Sequence, residues 1–393
     1  MTARGDLPGV TITSGLVDWQ LLPRDADDTA TVTLSGRVQP AAIDPEPPFG
    51  FNLIQAEVTV SARVVSELDG GAVVPWTRAE LAPDATWQVT LRLPAGGGYR
   101  VETQLEQVGG DGYSLTRGDL VHHVGVGDLY LVIGQSNAAG RARDRVVDGP
   151  QLGVHHYRAD GSWALAAHPL NDGTRAVHTG HFENHNPGHS PALHFAKRVS
   201  AAAGVPVGLV MAAFGGSPLR WWLQDASLGP LAENALEMLA AAGGSPRGVL
   251  WYQGEADCFE HSAGDYADRF ASFVTRFRER LNAPPLPFYT AQLARCTMAV
   301  EDDQDSQWGM QRAAAAGRPP GARRPPGADR RPPAVRLHPP QLGGQPGAGR
   351  AAGGRLARRG PRAGQGLAGA RTRRGGSHPG PAGPAALRGP PAT

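Results

Sequence analysis

The amino-acid sequence predicts an α/β domain with a three-layer arrangement around a parallel sheet. A small all-β sandwich domain precedes it and a disordered tail follows. Three observations predict this. Residues 1–124 alternate apolar and polar positions with a period of two. From 125 to 312, continuous apolar runs alternate with helical patterns. From 313 onward the residues that build cores disappear. With 393 residues, the chain has room for two or three domains and a sizeable core.

In the first segment, "AEVTVSARVV" puts Val58, Val60, Ala62 and Val64 on one face. "WQVTLRL" (Trp87 to Leu93) and "YRVETQL" (Tyr99 to Leu105) alternate in the same way, with "PAGGG" between them. Period-two strands around a Gly-rich turn predict a β-hairpin. No charge cluster or aromatic row there singles out a ligand site. The segment reads as a structural or docking domain.

The grammar changes near 125. "LYLVI" (Leu129 to Ile133) is the unbroken apolar run of a strand buried on both faces. "SPALHFAKRVSAAAG" predicts a helix: Ser190 caps it, Pro191 suits its first turn and Gly204 ends it. "VPVGLVMAAFGG" is a second buried strand. A helix around "LAENALEMLAAAGG" precedes a third strand, "GVLWYQGE". In "DYADRFASFVTRFRERL", Tyr266, Phe270, Phe273, Val274, Phe277 and Leu281 share one helical face. "PLPFYTAQL" holds a fourth strand. Alternating strands and helices predict a parallel sheet covered on both faces.

Charge divides the chain. Residues 313–393 carry fifteen Arg and a single acidic residue, Asp329, so the tail is near +14 and residues 1–312 near −12. The overall balance of +2 therefore gives no reason to expect nucleic acid on the folded part. Of the 81 tail residues, 66 are Ala, Gly, Pro or Arg, and none is Ile, Phe, Tyr, Trp or Met, so no core is expected there. Cys258 and Cys296 are too few for a disulfide framework or a cysteine zinc site. No H-E-x-x-H or Cys–His spacing appears, so no metal and no cofactor is expected. The N-terminus has no apolar core of signal length, which favours the cytoplasm, and no run is long enough to span a membrane.

The chemistry concentrates at "GQSN", just past the first buried strand. Ligands of open α/β sheets sit beyond the carboxyl ends of the strands. Ser136 lies there, after Gly134 and between two amide side chains, Gln135 and Asn137. A serine so placed attacks a carbonyl if a base takes its proton and donors hold the oxyanion. It equally serves as an ordinary turn or helix cap. Two further strand ends converge on the same crevice. "FGGSPLRWW" brings Gly215 and Gly216, and "WYQGEADC" brings Gln253 and Glu255.

Together, "VGDLYLVIGQSNAAGR", "GGSPLRWW" and "WYQGEAD" resemble the SGNH (GDSL-like) hydrolase superfamily, in particular its sialate O-acetylesterase and carbohydrate acetylesterase branch. "SPALHFAKRV" and "QWGMQR" are also similar to family segments. The resemblance covers about 125–312. It implies an SGNH-type, flavodoxin-like fold and an esterase that removes O-acetyl groups from carbohydrate. It implies that Ser136 is the nucleophile and one oxyanion donor, that Gly215 or Gly216 gives a second N–H, and that Gln253 gives a side-chain donor. Glu255 orders the loop or takes part in acid–base work. Trp221 and Trp222 line a sugar-binding rim or pack beneath the loop. His185 and His189 touch substrate or belong to an ordinary polar loop.

The family's terminal Asp-x-x-His element is missing. Asp329 and His338 stand nine apart with no strand before them. A serine without a base is a weak nucleophile. Arg, Pro, Ala and Gly all have GC-rich codons, so a reading-frame error in GC-rich DNA would produce such a tail. Shifted by one base, the codons of Arg336 to Pro339 permit Asp-x-Ile-His, which places the shift between about Gln311 and Gly317. Three other readings stand beside this one: an esterase on another acyl ester, a carbohydrate-binding protein without a working triad, and an anion- or RNA-binding protein acting through its Arg-rich tail.

Overall fold

The computed structural model describes residues 8–40, 56–109, 112–144, 146–178, 180, 188–225, 227–294 and 307–311. All of them fall in one compact unit. His185, Cys296, Asp329, His338 and the tail from 313 lie outside the described residues.

The first part consists of two sheets. One is a four-stranded antiparallel sheet of β1 (Gly9–Ser14), β3 (Thr29–Gln39), β7 (Thr86–Pro94) and β6 (Glu80–Leu81). The other runs antiparallel from β5 (Ala72–Arg78) through β4 (Glu57–Ser66) and β8 (Gly96–Gly109) to β9 (Gly112–Gly134). The period-two pattern explains the packing. Trp87, Val89, Leu91 and Leu93 point inward from β7, and Val60, Val64, Val101 and Leu105 meet them from the second sheet in one core.

The expected hairpin between "WQVTLRL" and "YRVETQL" does not form. β7 pairs with β3 and β6, whereas β8 pairs with β4 and β9. The buried faces of both strands look into the same core, so they lie on opposite sides of it. "PAGGG" is therefore a corner from one sheet to the other.

β9 is 23 residues long and belongs to both parts of the molecule. Its first half pairs with β8, and its last residues are central to a second sheet. The expected domain boundary at 124/125 thus falls inside one continuous strand. β2 (Leu21–Pro23) runs parallel to it at the junction, Leu21 opposite Gly125.

Beyond the junction, the strand order is β11 (Trp163–Leu165), β10 (Val154–Tyr157), β12 (Val207–Met211), β9, β13 (Gly248–Tyr252) and β14 (Phe288–Thr290). All are parallel except β11, so the sheet is mixed. Counting only the parallel strands in chain order, the arrangement is 2-3-1-4-5, which differs from the flavodoxin order of 2-1-3-4-5.

Side chains alternate across this sheet. Leu129, Leu131, Ile133, Val249 and Trp251 face α3 (Pro230–Ala241) and α5 (Tyr266–Arg280), where Phe273 and Phe277 are fully buried. Tyr130, Val132, Leu209 and Met211 face α2 (Pro191–Ala203). Ser190 caps α2 by accepting from Ala192 N–H, and Gly204 ends it with φ +69°, as the sequence predicts.

Strand β10 carries no sequence signal because two of its four residues are histidines. Both are buried. His155 Nδ1 lies 2.8 Å from the Trp19 carbonyl oxygen, and burial pushes the His156 pKa down to about 3. A neutral imidazole occupies an interior strand much as an apolar residue would, and His156 Nε2 has no partner among the described residues.

Gly134 ends β9 with φ +128°, opposite Tyr252, where a Cβ would overlap the Tyr252 carbonyl. Gly134→Ala is expected to cost roughly 2–4 kcal/mol, measured by urea unfolding followed by tryptophan fluorescence. An unchanged midpoint would show that the turn tolerates a side chain.

Candidate active site

Ser136 opens α1 (Ser136–Ala139), the short helix that follows β9. It is half-buried, while Gln135 before it is buried and Asn137 after it is exposed. Three strand ends meet here. Gln135 N–H donates to the Tyr252 carbonyl at 2.9 Å, and Phe214 N–H donates to the Gly134 carbonyl at 2.9 Å. The ends of β13 and β12 are thus hydrogen-bonded to the residues immediately before Ser136.

The Gln135 side chain makes a second tie. Its Oε1 accepts from Gly254 N–H at 3.1 Å and Ala256 N–H at 3.2 Å, satisfying donors at the start of α4 (Glu255–Phe259). Asn137 Nδ2 donates to Glu255 Oε1 at 2.6 Å. Glu255 therefore braces the serine turn, and its other oxygen has no partner among the described residues.

Gly215 is half-buried and Gly216 exposed; Gly216 takes φ +69° with open space where a side chain would stand. Ser217, next in the chain, is fully buried. Its carbonyl accepts from Gln253 Nε2 at 3.0 Å, and its hydroxyl accepts from Trp222 Nε1 at 3.0 Å.

The resemblance implies a side-chain oxyanion donor at Gln253. Its amide nitrogen has two hydrogens: one goes to Ser217 O and the other to Asp257 Oδ2 at 2.6 Å. Its oxygen accepts from the Tyr266 hydroxyl at 2.8 Å, which in turn accepts from Trp251 Nε1 at 3.0 Å. Gln253 thus clamps the loop that holds Gly215 and Gly216.

Asp257 completes the clamp. Its Oδ2 also accepts from Leu219 N–H at 2.9 Å, and its Oδ1 accepts from Ser262 at 3.2 Å. Asp257 and Ser217 were not singled out in the sequence, and Tyr266 only as part of a helical face, because their contacts span up to 83 residues. The one available hint was a second acid two residues after Glu255, too close to the strand end to reach water.

Residues 307–311 form a helical segment that returns to the site. Trp308 is buried against Cys258 and Leu293. Gln311 is buried beside Gly254, where a Cβ would overlap its side chain.

Trp222 is buried and supports the loop from beneath; Trp221 is exposed at its rim. His189 pairs with Ala142 past the far end of α1, and its ring packs on His168. No described side chain hydrogen-bonds the Ser136 hydroxyl. Asp148 and His168 form a carboxylate–imidazole pair at 3.1 Å, but the other ring nitrogen accepts from Ser190 N–H, so both are occupied. Glu67 pairs with His122 and His123, but His123 precedes Ser136 by thirteen residues, about 40 Å along a strand. Among the described residues there is no cluster suited to a metal ion, and no helix is long and apolar enough to cross a membrane.

A mixed sheet with helices on both faces and a polar turn at its strand ends is an α/β fold. Residues 126–318, just under half of the chain, match the family model described as carbohydrate esterase, sialic acid-specific acetylesterase. An Arabidopsis thaliana protein named "Probable carbohydrate esterase" is 27% identical over 199 residues, which span 47% of this chain and 75% of that protein. A solved carbohydrate acetylesterase from Xanthomonas citri is 20% identical, with a TM-score of 0.42, covering 79% of this chain and 66% of its own. A solved Arabidopsis thaliana structure is 26% identical, with a TM-score of 0.40, covering 48% and 80%.

Burial pushes the Glu255 and Asp257 carboxyls above the ordinary carboxylate range. A carboxyl that holds its proton more tightly when folded stabilises the fold below its unfolded pKa. That contribution is lost as pH rises through the folded pKa. Glu255→Gln, which can keep the Asn137 contact, is expected to flatten this fall. Unfolding midpoints measured from about pH 4 to about pH 7 would check it, and parallel pH profiles for the two proteins would refute it.

Proposed function

We propose that this chain is a serine esterase of SGNH type that removes O-acetyl groups from carbohydrate. Residues 1–124 would form an accessory β-sandwich, residues 125–312 the hydrolase domain, and residues 313–393 a tail produced by a frame shift. The observation that carries the reading is the half-exposed Ser136 on a turn hydrogen-bonded to the ends of β12 and β13.

In this mechanism Ser136 Oγ attacks the acetyl carbonyl. The oxyanion is held by Ser136 N–H and by Gly215 or Gly216 N–H, which the Gln253–Asp257 clamp keeps in place. Collapse releases the sugar hydroxyl, which leaves with a proton, and water then hydrolyses the acetyl-enzyme. Asn137 and Glu255 hold the serine turn. The base that takes the Ser136 proton and returns it to the sugar oxygen would be the histidine of the Asp-x-x-His element that the neighbouring reading frame permits.

A carbohydrate-binding role without turnover is favoured by one observation: no described side chain receives the Ser136 proton. Resequencing codons 300–345 distinguishes the two. If the neighbouring frame reads Asp-x-x-His at the codons of Arg336 to Pro339, the corrected chain is expected to hydrolyse acetylated sugars in preference to p-nitrophenyl esters. Ser136→Ala should then lower kcat/KM by about 10⁴-fold or more. If the frame stands as given, sugar binding without hydrolysis, unchanged in Ser136→Ala, is the expected result. Salt-sensitive RNA binding abolished by truncation at Arg312 would overturn both readings.

A further inference from the structure

Trp221 stands at the outer edge of the loop that holds Gly215 and Gly216. It is 37% exposed, although its neighbour Trp222 is fully buried. Phe214 packs against it edge to face, with ring centroids 6.1 Å apart. Phe214 is also the residue whose N–H is bonded to Gly134, two positions before Ser136. The exposed indole is therefore two short steps from the serine.

Arg220 lies over the Trp221 ring, 5.5 Å from its centroid. Its Nε and Nη2 donate to the two oxygens of Glu260, at 3.1 and 2.8 Å. A two-point guanidinium–carboxylate contact fixes the plane of the side chain and compensates its charge. Glu260 follows α4, so the pair joins the two loops flanking the serine turn. The rim thus offers an apolar ring beside a donor–acceptor pair with no net charge.

A sugar ring has C–H faces that pack on an aromatic surface and an equatorial edge of hydroxyls that both donate and accept. A carboxylate on that sugar would find Arg220 already engaged and Glu260 beside it with the same sign of charge. We propose that Phe214, Trp221, Arg220 and Glu260 form a subsite for the leaving-group sugar and select a neutral ring over an anionic one. This deepens the esterase reading and rests on it for the position of the acetyl group, but sugar binding itself requires no turnover.

Isothermal titration calorimetry of the full chain tests the subsite, with xylohexaose, cellohexaose and mannohexaose as neutral probes and N-acetylneuraminic acid as the anionic one. At least one neutral probe is expected to bind, about tenfold or more weaker in Trp221→Ala. The acid is expected to bind more weakly than that probe and to gain several-fold in Glu260→Gln, a surface change that leaves the core untouched. Binding by none of the neutral probes, unchanged affinity in Trp221→Ala with native circular dichroism, or tighter binding of the acid to the wild type overturns the proposal. Trp221-dependent binding in a chain that hydrolyses no ester keeps the subsite and removes the esterase. Hydrolysis indifferent to Trp221→Ala does the reverse.

Discussion

The continuous strand β9 constrains everything else in the molecule. Its first half closes the antiparallel sheet against β8, and its second half is the central strand between β12 and β13. Its last residue must be a glycine with positive φ, and the serine turn begins immediately after it. The two parts of the fold therefore share one hydrogen-bonded ladder. A change in the register of β9 would displace the core of the first part and the position of Ser136 together.

A second constraint acts at that same end of the strand. Polar side chains that would be costly to bury singly satisfy one another in a chain: Trp251 to Tyr266, Tyr266 to Gln253, Gln253 to Ser217 and Asp257, Leu219 to Asp257. Each group removed would leave a buried partner without its hydrogen bond. The network joins the loop after β12 to the loop after β13, and the Gln135 amide joins the second of these to the serine turn. The two glycines are thus held through the backbone and side chain of their neighbour Ser217.

What was legible in the sequence was local. Ser190, Pro191 and Gly204 mark α2 because caps act within one turn, and the apolar stripe of α5 marks its buried face for the same reason. Ser136, Gln135 and Asn137 were visible because strand, glycine and helix are adjacent in sequence. Illegible were contacts set by the tertiary fold. "PAGGG" fits a hairpin or a corner equally well until the partners of β7 and β8 are known. The histidines of β10 look polar until Trp19, 136 residues away from His155, supplies a partner. Gln253 looks like an available donor until Asp257 and Ser217 take both its hydrogens.

Gln307 and Gln311 bear on how such a site is assembled. Gln307 Oε1 accepts from Ala263 N–H, and Gln311 is seated beside Gly254, one residue from the clamp. The chain is thus moored beside the loop that follows β13, just before the point where its composition changes. For any chain anchored in this way, the local concentration of a later group near the anchor follows from the number of residues between them.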